Sequence, residues 1–314
     1  MKIVYMGTPE FAVESLKALL GKYDIAAVVT VPDKPAGRGR EVKQSEVKKF
    51  ALDNQLPVLQ PERLRDEDFI AALKHLNADL FVVVAFRMLP EVVWSIPPKG
   101  TINLHASLLP NYRGAAPINH ALINGEAQTG VTTFLISHEI DTGEILMQTK
   151  VNIDNDETAG ELHDKLMRTG ASLLLETVAN IDSGNINPQA QPDNLAGVKS
   201  APKLFRENCE INWCATSTEI KNFIRGLSPY PCAWSTITNG QEIIQIKIYK
   251  ASAETESTCG ECGTIKTDGK NYIKVACGNG YINILELQMQ GKKTMAVKTF
   301  LAGFRNIKDY KFGK

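Results

Sequence analysis

The chain has 314 residues, 43% of them hydrophobic and 22% charged, with 35 basic and 35 acidic side chains. That length suffices for two packed cores. No stretch approaches the roughly 18 apolar residues of a membrane span, and the first apolar run is too short for a signal peptide, so the cytoplasm is the expected address. The zero net charge hides an asymmetry, because residues 200–314 carry 16 Lys+Arg against 10 Asp+Glu; a basic C-terminal part is compatible with a polyanionic partner and equally with ordinary surface chemistry.

In chain order, short β-branched runs at Lys2–Met6, Ile25–Val31, Asp79–Ala85 and Thr101–Leu104 read as strands, with Val131–Ile136 extending the same sheet. Between them Pro9–Leu20 reads as a helix, with Thr8 as N-cap and Pro9 at the first helical position. Gln44–Asp53, Ala115–Ile123 and a long Thr158–Asn180 are further helices. Strands alternating with helices predict a doubly wound α/β unit on a mostly parallel sheet. A polar, proline-containing stretch from Ser183 to Lys203 reads as a linker. Thr216–Arg225 is then a helix, and Ala233–Ile237, Ile243–Ala251, Gly263–Lys266, Tyr272–Ala276 and Tyr281–Leu287 are short strands whose natural closure is a small β-barrel. The expected domains are therefore residues 1–185 and 204–314, joined by 186–203.

All six cysteines (Cys209, Cys214, Cys232, Cys259, Cys262 and Cys277) fall in the C-terminal third. Cys259-Gly-Glu-Cys262 is the one close pair, but a zinc ribbon needs a second, and Cys209 with Cys214 is a loose substitute without nearby histidines. Buried or surface thiols are expected, and no metal.

The densest cluster of chemistry-bearing residues is Asn103-Leu-His105-Ala-Ser107-Leu-Leu-Pro110, followed by Asn-Tyr-Arg113-Gly-Ala-Ala-Pro117. It lies directly after a predicted strand, at the carboxyl end where open α/β sheets bind ligands. Asn103 and His105 are two apart and share one face, with Leu104 on the other. A carboxamide and an imidazole aimed at one point can donate to an oxygen that turns negative during acyl transfer, each donor worth roughly 3 kcal/mol in the transition state. Glu139-Ile-Asp141-Thr-Gly143 follows the last strand of the sheet and can bring a carboxylate to the same crevice. On the residues alone, a histidine at a strand end is more often structural than catalytic, and Asp-Thr-Gly is mainly a turn signal.

The combination of Asn103-Leu-His105, Ser107-Leu-Leu-Pro110 and Asp141-Thr-Gly143 resembles the active-site signature of the formyltetrahydrofolate-dependent transformylase family. Gly7-Thr-Pro-Glu-Phe11, Pro32-Asp-Lys34-Pro-Ala-Gly-Arg38-Gly-Arg40, Arg113-Gly-Ala-Ala-Pro117 and Pro229-Tyr-Pro231 extend the likeness over nearly the whole chain, toward the members that act on initiator tRNA. The resemblance implies a Rossmann-like formyltransferase domain followed by an OB-like barrel that binds tRNA. It implies 10-formyltetrahydrofolate as formyl donor, the methionine of initiator methionyl-tRNA as acceptor, no metal, and a monomer. It makes Asn103, His105 and Asp141 the catalytic trio. Folate contacts fall to Ser107, Leu108, Leu109 and Pro110, and to the loop of Phe86, Arg87, Met88 and Leu89. Two departures from many relatives are Glu139, where a glycine is common two residues before the aspartate, and a Phe86 loop one residue shorter.

Pro35-Ala-Gly37-Arg38-Gly39-Arg40 matches neither a phosphate loop nor a dinucleotide fingerprint. Its glycines and cations describe either a solvated connection or a mobile basic loop for backbone phosphates; the resemblance implies the second. Lys34, Arg38 and Arg40, with Lys292 and Lys293 on the barrel, are therefore the expected tRNA contacts. The rival readings are a formyltransferase acting on an amino sugar nucleotide, a nucleotide-dependent oxidoreductase, for which the fingerprint after Met6 is missing, and a non-catalytic RNA-binding protein.

Overall fold

The computed structural model describes residues 1–36, 41–192, 196–256 and 260–313. Arg38, Arg40 and Cys259 lie outside the described residues. The chain divides into two compact units: Met1–Gly114, Gln128–Asn152 and His163–Ser200 make up the first, while Ala115–Ala127, Ile153–Leu162 and Ala201–Lys314 make up the second.

The N-terminal part of the chain contributes strands β1 (Lys2–Gly7), β2 (Asp24–Val29), β3 (Lys34–Ala36), β4 (Glu41–Lys43), β5 (Val58–Leu59), β6 (Leu80–Val84), β7 (Thr101–His105), β8 (Arg113–Gly114), β9 (Gln128–Leu135) and β10 (Ile145–Asn152). Its helices are α1 (Glu10–Leu19), α2 (Glu46–Asp53), α3 (Glu67–His75), α4 (Glu91–Trp94), α5 (Pro117–Ile123) and α6 (Ala159–Ser183).

Seven of these strands form one sheet in the order β10-β9-β7-β6-β1-β2-β5. The pairs from β7 to β5 are parallel; β9 and β10 run antiparallel at the other edge. The register sets Met6 beside Val83 and Val83 beside Asn103, so these three share one face of the pleat. Farther down that face Val4, Met6, Phe81 and Val83 pack against Phe69 and Leu73 of α3 and Val93 of α4. Leu104 points the other way, against α6, where a Cβ on Gly170 would come within 2.9 Å of its side chain.

The start of α1 differs from the sequence expectation. Pro9 is itself the N-cap, in extended conformation and without a side-chain cap, and Thr8 does not cap the helix. The ladder explains this, because β1 continues through Gly7 opposite Val84, which keeps the chain extended past Thr8. At α2 the hydroxyl of Ser45 accepts from Lys48 N–H at 3.1 Å and begins the helix at Glu46. The stretch expected as a plain linker is pinned at several points within the first unit. Gln189 exchanges two 2.8 Å backbone hydrogen bonds with Ile145, and the Lys199 carbonyl accepts from Tyr112 N–H at 2.6 Å.

The C-terminal part adds β11 (Ser200–Ala201), α7 (Ser217–Leu227), β12 (Ala233–Thr238), β13 (Ile243–Thr255), β14 (Ile265–Thr267), β15 (Ile273–Cys277), β16 (Gly280–Met289), β17 (Met295–Ala296), α8 (Val297–Gly303) and β18 (Lys311–Phe312). In α7 Thr216 and Glu219 form a reciprocal capping box. The sheet order is β14-β15-β16-β13-β12-β18, with β17 beside β16. Thr264, next to β14, bridges Lys311 of β18, and Phe312 N–H donates to the Gly263 carbonyl at 2.9 Å, which brings the two ends of the sheet together as a nearly closed barrel. Gly263 permits that approach: its φ is +85°, and a Cβ there would lie 2.1 Å from the Phe312 carbonyl. The barrel core is aliphatic (Ile246, Ile248, Ile282, Ile284 and Leu287), with Trp213 and Phe312 packed into it.

Candidate active site

Strands β1, β6 and β7 end side by side, with Gly7 opposite Val84 and Val84 opposite Leu104. The segments that follow them therefore leave one edge of the sheet together, which puts the Phe86–Leu89 loop beside the end of β7. Strand β9 runs the other way and its Leu135 pairs with Ile102, while Thr132 pairs with His105. To reach His105, the turn after β9 has to double back by three strand residues, on the order of 10 Å.

It does so. Asp141 Oδ2 lies 3.7 Å from His105 Nδ1, with both side chains largely buried. That is an ion-pair distance, longer than a hydrogen bond. The same Oδ2 accepts a 2.8 Å hydrogen bond from Gly114 N–H. His105 Nε2 is 2.8 Å from the Tyr112 carbonyl; a carbonyl can only accept, so Nε2 carries the hydrogen. Both ring nitrogens thus face acceptors, Nε2–H in a hydrogen bond and Nδ1 beside the carboxylate. Phe134 closes the apolar side of the imidazole edge to face, with ring centroids 6.5 Å apart.

Asp141 adopts φ +57°, a left-handed conformation that aspartate tolerates better than most residues. The turn around it is held by side chains. Ser137 and Thr142 hydroxyls meet at 3.0 Å, and Thr142 donates to the Glu139 carbonyl at 3.1 Å. Gln191 Nε2 donates to the carbonyls of Asp141 and Gly143 at 2.9 and 2.8 Å. Gly143 has no alternative, since a Cβ there would sit 1.6 Å from the Leu135 carbonyl.

The Ser107–Pro110 loop is fixed just as closely. Thr132 Oγ1 donates to the Ser107 carbonyl at 2.6 Å and accepts from Leu109 N–H at 3.2 Å and from Gln148 Nε2 at 2.9 Å. Gln148 also donates to the Leu109 carbonyl, and Ser107 Oγ to that of Asn111. Leu108 packs across Gly130, where a Cβ would come within 2.5 Å of it, Leu109 is buried, and the Leu109–Pro110 peptide is cis.

Asn103 completes the group with one buried atom, Oδ1, that has no hydrogen-bond partner among the described residues. An amide oxygen only accepts, so what this position lacks is a donor, which an amine or amide N–H of a substrate can supply. In the neighbouring loop Arg87 does not project freely. Its guanidinium donates to the carbonyls of Pro61 and Glu62 at 2.8 and 3.1 Å, lies 5.3 Å from the Phe86 ring centroid, and is lowered in pKa by burial. Met88 is exposed and Leu89 buried. The side chain of Arg87 therefore braces this loop, and the backbone and Met88 are what it can offer a ligand.

Of the expected tRNA contacts, Lys34 is exposed at the start of the β3–β4 hairpin, and Lys292 and Lys293 are exposed in the turn between β16 and β17. His138, three residues before Asp141, faces solvent against Glu91 and Trp94. Sequence reasoning missed Tyr112, Thr132, Gln148 and Gln191. Their contacts are with partners 7, 25, 39 and 50 residues away, which residue type and spacing do not reveal.

A strand-end Asn and His, a carboxylate folded back onto the imidazole and a pinned loop beside them are, on an α/β sheet, an arrangement able to serve acyl transfer. Residues 1–178 match the formyl transferase family and residues 203–305 the formyl transferase C-terminal domain. The chain is 50% identical to the methionyl-tRNA formyltransferase of Bacteroides fragilis over 99% of its own length and 97% of the relative's. It is 51% identical to that of Flavobacterium johnsoniae over 96% of each chain. Among solved structures, a sugar 3N-formyltransferase determined with dTDP and 5-N-formyl-THF superposes with a TM-score of 0.65, at 24% identity over 93% of this chain and 99% of that one; this likeness shows the fold. The chain belongs to the formyl transferase family, and within it to the methionyl-tRNA formyltransferases.

Proposed function

We propose that the Asn103, His105 and Asp141 cluster transfers the formyl group of 10-formyltetrahydrofolate to the α-amine of methionine on initiator tRNA. The observation that carries this reading is the convergence of the three residues from β7 and from the turn after β9, in a chain about half identical over its full length to methionyl-tRNA formyltransferases. The amine attacks the formyl carbon, the carbonyl oxygen gains negative charge, the bond from that carbon to the folate nitrogen then breaks, and the amine proton is passed on as the folate nitrogen regains one. Asn103 donates to the developing oxyanion through its amide N–H while its partnerless Oδ1 can accept from a substrate N–H. His105 Nε2–H shifts from the Tyr112 carbonyl to the same oxyanion, a tightening of the kind that substrate binding commonly brings. Asp141 holds the imidazole in place from the Nδ1 side. An aminoacyl ester amine is less basic than the free α-amine reference of about 8, so much of it is nucleophilic at neutral pH, and positioning outweighs base strength.

Ser107–Pro110 and Phe86–Leu89 form the walls for the folate, the first clamped by Thr132 and Gln148 and the second braced by Arg87. Residues 1–185 carry the chemistry, 186–203 join the parts, and 204–314 hold the tRNA. Lys34, Arg38, Arg40, Lys292 and Lys293 contact tRNA phosphates. The protein works in the cytoplasm as a monomer. The test is incubation with labelled 10-formyltetrahydrofolate and, in parallel, charged initiator tRNA and an amino sugar nucleotide. Label appears on the tRNA; label on the sugar nucleotide alone overturns the reading.

A further inference from the structure

We infer that Gln191 is a positioning residue for Asp141, reaching the catalytic turn from the segment after α6; this rests on the role given to Asp141 above. Every hydrogen-bonding direction of its amide that can hold the turn is spent there. Nε2 donates to the carbonyls of Asp141 and Gly143 at 2.9 and 2.8 Å. Oε1 accepts from Arg113 at 2.6 Å through one terminal nitrogen and at 3.2 Å through Nε. Arg113 is followed directly by Gly114, whose N–H holds the Asp141 carboxylate at 2.8 Å.

One carboxamide therefore ties the backbone on both sides of Thr142 to the residue preceding the N–H that orients the carboxylate. Asp141 needs such support. Its left-handed backbone is a conformation that persists where the surroundings over-determine it, and the hydroxyls at Ser137 and Thr142 brace only the turn itself. The approach of Gln191 is fixed two residues earlier, where Gln189 pairs with Ile145 through two backbone hydrogen bonds. The same segment supports the other side of the imidazole, because the Lys199 carbonyl accepts from the N–H of Tyr112, the residue whose own carbonyl takes Nε2–H. Both neighbours of His105 are thus anchored from the segment after α6.

The test compares the full-length protein with Gln191→Ala and Gln191→Glu in single-turnover and steady-state formylation of charged initiator tRNA. The glutamate keeps an acceptor for Arg113 but has no N–H for the two carbonyls. Both variants should lose about tenfold to a hundredfold in kcat, with KM for folate and for tRNA changed by less than about threefold. In an Asp141→Asn background either change should cost less than about twofold more, because a residue that acts through the carboxylate has nothing left to position. Wild-type kcat in Gln191→Glu overturns the inference and assigns the residue to Arg113. A full further loss on top of Asp141→Asn also overturns it, and so does a fall confined to KM. If Gln191→Ala does not fold, Gln191→Glu decides alone. Failure of Asp141→Asn itself to slow the reaction sinks the trio, an outcome separate from failure of the Gln191 variants alone.

Discussion

Asn103 and His105 sit on a strand paired on both sides, by β6 and by β9, whereas Asp141 sits in a turn that has to double back across the sheet to meet them. The first two are placed by a backbone ladder, so their direction follows from the pleat and any compatible neighbours would preserve it. Asp141 is placed by the carboxamide of Gln191, by Gly114 N–H, by paired hydroxyls and by the missing Cβ of Gly143. Functional side chains on regular elements inherit precision from the scaffold, and those on turns need it supplied one hydrogen bond at a time.

The largest effect should come from deleting the chemistry on either side. His105→Ala and Asn103→Ala should each lower turnover by at least about a hundredfold while folate binding survives, because the roles proposed for them act on the developing charge. Asp141→Asn should be similarly severe. Measured kcat above a tenth of wild type for any of the three would remove that residue from the trio. Gly143→Ala breaks only the turn-held half. Its new methyl meets the Leu135 carbonyl, the backbone has to move, and a displacement near 1 Å costs about tenfold to a hundredfold in rate. Overpacking of this kind also costs roughly 1–3 kcal/mol of stability. A Gly143→Ala enzyme with unchanged kcat would mean that Asp141 tolerates displacement and that the contrast between the two halves is idle.

The same contrast explains what could be read in the sequence. The buried parallel strands announce themselves as β-branched runs, and the Asn103/His105 pair on the end of one is visible from spacing. Edge elements are weaker signals: β5 is two residues that exist by pairing with Val28 and Val29, and β10 exposes much of one face. The supports of Asp141 are the least legible. Gln191 lies fifty residues away in a polar stretch with no periodicity, so sequence reasoning made a linker of it. Thr8 was the wrong cap for α1 because a local propensity cannot know that the β1 ladder runs on through Gly7. The placement of Asn103 and His105 was legible because residue type and spacing carry it, and positioning was illegible wherever it depends on partners distant in sequence.

Thr132→Val acts on the folate side of the site with a smaller effect. The isosteric methyl takes away the donor to the Ser107 carbonyl and the acceptor for Leu109 N–H and Gln148 Nε2, at a cost of about 1–3 kcal/mol for the groups left unpaired. Since the loss falls on the Ser107–Pro110 loop, KM for 10-formyltetrahydrofolate should rise roughly threefold to tenfold, with kcat changed less than about threefold. A fall in kcat with normal folate KM would place Thr132 with the trio through its partner across the ladder, His105.

The smallest expected effect is at His138, and it tests whether nearness in sequence to Asp141 means anything by itself. His138 belongs to the same turn and is a titratable group three residues from the carboxylate, so on sequence grounds it could pass as a second acid or base. Its side chain is 72% exposed, 3.5 Å from Glu91 and edge to face with Trp94 at 5.3 Å between centroids. Both partners lie on α4, and neither is a member of the trio. An exposed polar contact of this kind contributes at most about 1 kcal/mol, and its ring contact adds about as much only when well buried. His138→Ala should therefore leave kcat within about twofold and shift stability by about 0.5 kcal/mol, read by the formylation rate and thermal unfolding of the same preparation. A loss of kcat approaching that of Asp141→Asn would show that the turn acts as one rigid piece, in which the outward face positions the carboxylate as strongly as Gln191 does from within.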